Sequence, residues 1–102
     1  MPAYVCVEIE IHDLDTYEEY KKLAPPSIAR YGGRYIVRGG ATEALEGDWV
    51  PKRFVILEFD SMDAARAWWS SPEYSAARAI RQRCASTQML LVEGLPSGWT
   101  PP

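Results

Sequence analysis

Tyr4-Val5-Cys6-Val7-Glu8-Ile9-Glu10-Ile11 alternates without a break: Val5, Val7, Ile9 and Ile11 fall on one face of an extended chain, and Tyr4, Cys6, Glu8 and Glu10 fall on the other. That period of two predicts a strand with one covered side. Asp13 and Asp15 follow as capping residues, and Tyr17, Tyr20, Lys21, Leu23 and Ala24 recur at helical spacing behind Glu18-Glu19. Pro25-Pro26 is expected to break or kink this helix, leaving residues 27–31 as a last turn before Gly32-Gly33. A second strand is expected over residues 34–38, a long hairpin loop over 39–51 and a third strand over 52–59.

Asp60-Ser61 reads as the cap of a second helix carrying Ala64, Ala65, Ala67, Trp68 and Trp69, interrupted at Ser70-Ser71-Pro72. Its continuation from Glu73 to Cys84 places Tyr74, Ala77, Ile80 and Cys84 on one face and turns Arg78, Arg81 and Arg83 mostly toward solvent. A fourth strand is expected over residues 88–93. The order βαββαβ is the ferredoxin-like α+β arrangement, a four-stranded antiparallel sheet with both helices on one face. Residues 1–94 read as the single domain and 95–102 as a C-terminal tail anchored by Trp99.

The 102 residues, 47% of them hydrophobic, suffice for one core and not for two. Lysine and arginine number 11 against 14 acids, and this net charge of -3 offers nothing to phosphate backbones or anionic lipid, so neither nucleic acid nor membrane is expected as a partner. No apolar run approaches the length of a membrane span, and no basic region with an apolar stretch opens the chain. Cys6 and Cys84 make neither a disulfide framework nor a metal cluster, which suits a reducing cytoplasm; no metal and no cofactor are expected.

Helices on one side leave the other sheet face bare. With Phe54, Ile56, Met89, Leu91 and Ile36 assigned to it, that face would expose an unusually large apolar patch in a monomer, so a homodimer is expected. Parity adds charge to the same surface: Glu8 and Glu10, Arg34 with Arg38, then Glu58 and Glu93, with Leu90 and Val92 turned to the helices. These residues support two readings. In one, Arg34 or Arg38 holds a negative ligand oxygen, Glu58 or Glu8 accepts a proton, and Trp49 closes the rim from the 39–51 loop. In the other they are interface ion pairs. His12, beside Asp13 at a strand end, is a secondary candidate base, and it lacks the partners for zinc or for a hydrolase triad. Gly32-Gly33 and Gly39-Gly40 are turn glycines, and Cys6, Trp68 and Trp69 read first as packing residues.

Tyr31-Gly32-Gly33-Arg34-Tyr35-Ile36-Val37-Arg38-Gly39-Gly40, Leu45-Glu46-Gly47-Asp48-Trp49, Leu57-Glu58-Phe59, Arg66-Ala67-Trp68-Trp69-Ser70-Ser71-Pro72-Glu73-Tyr74 and Val92-Glu93-Gly94 together carry a resemblance. The chain resembles the domain-of-unknown-function 1330 family. That resemblance implies a place in the dimeric α/β-barrel superfamily, whose members carry out cofactor-independent oxygenation, haem or chlorite chemistry, muconolactone isomerisation and ligand sensing. It assigns no catalytic residue. The chain departs from the haem relatives in having no haem-ligating histidine on a helix, and from the monooxygenase relatives in lacking their histidine and asparagine set. The expectation is a homodimer that binds a small organic ligand, anionic or aromatic, in a pocket between helix layer, sheet and loop. The alternatives are a structural or regulatory dimer, or an oxygenase or isomerase by fold analogy.

Overall fold

The alternating stretch becomes β1 (Ala3–Ile11), and pairing along both its edges makes it a central strand. It runs antiparallel to β3 (Phe54–Phe59), with Val5 opposite Leu57, and to β4 (Ala85–Glu93), with Val5 opposite Leu91. β2 (Arg34–Arg38) pairs outside β3, so the sheet order is β2-β3-β1-β4. The computed structural model describes residues 1–102. Directly opposed residues of antiparallel strands share a face. Ala3, Val5, Val7 and Ile9 therefore join Val55, Leu57 and Phe59 on one side, where all seven are buried beneath α1 (Leu14–Arg30), α2 (Met62–Trp69) and α3 (Pro72–Cys84).

Each helix starts where a side-chain oxygen meets an orphan amide. Asp13 accepts from Thr16 N, Ser61 from Ala64 N and Ser71 from Tyr74 N. Tyr17, Tyr20, Ala24 and Ile28 form the buried stripe of α1. The end of α1 is tied to the start of α3 through Glu73, which accepts from Tyr31 Oη at 3.0 Å and pairs with Arg30 Nε at 2.9 Å. Trp68 is the hub of the core: 1% exposed, its indole N–H donates to Ser27 Oγ at 3.1 Å and its ring lies 4.0 Å from that of Tyr74.

Four expectations are corrected. Helix α1 runs unbroken through Pro25 and Pro26; Pro26 and Lys22 are exposed, so water can reach carbonyls that the prolines leave without a donor. β4 starts at Ala85, and its parity is the reverse of the expectation: Met89 opposes Val7 and Leu91 opposes Val5, so these two face the helices with Glu93, while Leu90 and Val92 lie on the bare face. β2 contains a bulge between Tyr35 and Val37 that sets Val37 against Ile56 and Arg38 against Val55. Arg34 and Arg38 therefore point to opposite faces. Finally, Arg81 is 4% exposed, buried among the helices and not turned to solvent.

Candidate functional site

The bare face carries most of the charged residues singled out from sequence, and Arg34, Glu58 and Glu8 among them are already partnered. Arg34 Nε lies 2.8 Å from Glu58 Oε1, with Asp60 3.6 Å from the same guanidinium. A hydrogen bond with Glu58 raises the Tyr4 hydroxyl above its usual range. Further along the strand the Trp49 indole donates to Glu8 Oε2 at 2.8 Å and meets the Phe54 ring edge-on at 5.9 Å, so the loop after β2 folds over this face. His12 stands apart at the strand end, exposed, its Nε2 2.7 Å from Ser86 Oγ. Cys6, Ile56, Leu90 and Val92 fill out the surface, Leu90 at 65% exposure. Burial pushes the Cys6 thiol up.

Arg38 belongs to a different constellation on the helix side. The bulge sends its guanidinium over the Tyr35 ring, 4.5 Å from the centroid. Arg53 precedes β3 on the same face, 6.0 Å over Tyr17, and its head packs against Gly39, where an added Cβ would come within 2.5 Å of Nη1. Arg81 enters from α3, 5.9 Å over Tyr20, with Nε 3.4 Å from the Tyr74 hydroxyl. That hydroxyl is in turn 2.9 Å from Tyr20 Oη. The chain's ion pairs include none of these three arginines. Arg53 Nε is buried with no hydrogen-bond partner, as is Oγ1 of Thr87, which sits opposite Ile9 on the same sheet face.

Arg38, Arg53 and Lys21 border a narrow chamber of about 30 Å³ between α1 and the sheet, enough for roughly two waters, walled by Tyr17, Tyr35 and Trp68. Burial raises the phenols of Tyr17, Tyr20 and Tyr35, and at Tyr17 the charge of Arg53 works against that rise. The chamber is thus basic, aromatic and without a carboxylate in ion-pair contact with its arginines. Arg38 is exposed and Arg53 half-buried, and the buried, unpartnered Arg53 Nε carries the unmet desolvation cost that an anion would offset.

Sequence reasoning missed Arg53 and Arg81. Arg81 follows Tyr74 and Ala77 and precedes Cys84 at i, i+3, i+7, i+10, the spacing of the buried stripe itself. Arg53 shares parity with Val55 and Leu57. Both signals were present.

A family model described as Domain of unknown function (DUF1330) matches residues 2–95. The chain belongs to the DUF1330 family. No curated protein matches the sequence. Among solved structures, this DUF1330 chain is similar to a protein of unknown function from Rhodopseudomonas palustris, at 19% identity and TM-score 0.76 over 93% of this chain and 83% of that one. It is similar to a dimeric ferredoxin-like protein of unknown function from Jannaschia sp. CCS1, at 14% identity and TM-score 0.69 over 92% and 100% of the two chains. SnoaB, a cofactor-independent oxygenase from Streptomyces nogalater, shares 11% identity and TM-score 0.64 over 95% and 96%. At these identities the likeness is one of fold, and the ferredoxin-like α+β class follows from it. No helix of this DUF1330 member is long and apolar enough to cross a membrane.

Proposed function

We propose that this protein is a homodimer closed through its bare sheet face, and that each protomer binds a small organic anion whose charged group enters the chamber between α1 and the sheet. The dimer is supported by the open apolar surface around Cys6, Ile56, Leu90 and Val92 and by the description of the Jannaschia neighbour as dimeric. In this reading Arg34 with Glu58, and Glu8 with Trp49, are pairs that flank the interface and fix its polar register. They do not move protons, and His12 is a strand-end contact.

One observation carries the ligand: Arg53 Nε is buried with no hydrogen-bond partner, and Arg53 and Arg38 border the chamber with no acidic partner for either. Guanidinium forks match carboxylate oxygens in two-point geometry, and tyrosine rings line the approach. An anion bound there would reach charge-assisted bonds worth ~1.5–3 kcal/mol each. The test is thermal unfolding and calorimetric titration with acetate and benzoate. Benzoate is expected to raise the midpoint, with Arg53→Met abolishing the rise while the ligand-free variant stays folded. A protein that binds neither anion overturns the reading.

A further inference from the structure

On the helix side a second cavity adjoins the basic chamber. It is an apolar groove of about 210 Å³ between α2 and the sheet, lined by Val5, Ala65, Trp69 and Leu91, with Arg66 as its one polar wall. Trp68 and Met89 border both cavities, so they form the partition between them. The two halves of that partition differ in stiffness. Trp68 is held by its bond to Ser27 and by its contacts with Phe59 and Tyr74, at centroid distances of 5.4 and 4.0 Å. Met89 is partly buried, unbranched, and able to change rotamer at little cost.

Resting on the proposed anion chamber, we infer that the ligand is an amphipathic monocarboxylate. Its carboxylate sits at Arg38 and Arg53, and its apolar body passes beside Met89 into the groove under Trp69 and Leu91. The charge pattern sets the orientation: cations line one end, and the other is almost wholly apolar. The size sets the body. A groove of about 210 Å³ joined to about 30 Å³ falls below the ~300–1,000 Å³ of sites for drug-sized ligands, so the occupant is a short alkyl chain or a single ring.

The experiment titrates acetate, butyrate, hexanoate and octanoate into the full chain at fixed pH and salt, with the Met89 methyl followed by carbon-13 labelling. Each methylene that reaches the groove should raise affinity about fourfold until the groove is full, from the ~0.8 kcal/mol of a buried methylene. The Met89 signal should move with octanoate and stay put with acetate. Ala65→Met, which fills the groove, should flatten the chain-length dependence while acetate still binds. Should that variant fail to fold, the wild-type Met89 signal decides. Equal affinity across the series, or an octanoate complex with an unmoved Met89, overturns the two-part site and leaves the anion chamber standing. A protein that binds none of the four overturns both.

Discussion

Replacing Arg81 by methionine measures the cost of an unpaired buried charge. Arg81 is 4% exposed, and its one side-chain bond, 3.4 Å to the Tyr74 hydroxyl, is long. Loss of that bond costs about 0.5 kcal/mol, and Tyr20 still partners Tyr74 at 2.9 Å. Against it stands the relief of burying an apolar chain in place of a charge, a substitution that stabilises by about 1–4 kcal/mol where buried ionic groups have been replaced at similar volume. The ligand-free variant should therefore be more stable by about 1–3 kcal/mol, and a domain of this size should gain ~4–8 °C in midpoint per kcal/mol. Benzoate should leave the order unchanged. Arg81 does not line the chamber, so benzoate, whose carboxylate meets Arg38 and Arg53, should stabilise the variant and the wild type alike. Thermal unfolding with and without benzoate reads both effects. A variant about 2 kcal/mol less stable than the wild type would refute the claim that this charge is buried at a net cost.

Gly39→Ala places a side chain at φ +69 and drives its Cβ to 2.5 Å from Arg53 Nη1, so we expect a destabilisation of about 1–2 kcal/mol together with weakened benzoate binding; unchanged affinity would remove Arg53 from the site. The phenols of Tyr17, Tyr20 and Tyr35 are raised by burial, so above their ordinary value near 10 the unfolded chain sheds protons that the folded chain keeps. Their contribution is intact below that pH and is lost as pH rises through it, which chemical denaturation between pH 8 and 11 should show as falling stability; a flat profile would contradict it. At Cys6 the thiol is raised by partial burial on the bare face, so alkylation by iodoacetamide at pH 8 should be slower than in the unfolded chain and should speed up on dilution to monomer. Equal rates at all concentrations would leave that face uncovered.

The legible parts of the fold are those where a pattern alternates cleanly. β1 switches between apolar and other residues along its length, and its faces, like those of β3, agree with the parity expected from sequence. β4 does not: Met89, Leu90, Leu91 and Val92 are apolar in succession, so its faces are fixed by pairing with β1, a long-range contact that local pattern does not encode. The bulge in β2 is equally invisible, since Tyr35-Ile36-Val37 carries no glycine or other mark of an extra residue, yet it moves Arg38 from one face to the other. Pro25-Pro26 signalled a break that tertiary packing of Ala24, Ser27 and Ile28 overrides. By charge alone, Arg81 on its helix is expected to face water. The spacing of Arg81 within the Tyr74, Ala77 and Cys84 stripe outranked its charge, and Arg53, on the parity of Val55 and Leu57, was the pointer to the chamber.

The most direct measurement is a crystal structure of the protein soaked with 4-bromobenzoate, the bromine located by its anomalous scattering. The carboxylate should lie against Arg38 and Arg53 with bromine between Met89 and Trp68, on the helix side of the sheet. Bromine at Arg34 on the opposite face, or none within the fold at millimolar ligand, would contradict the account.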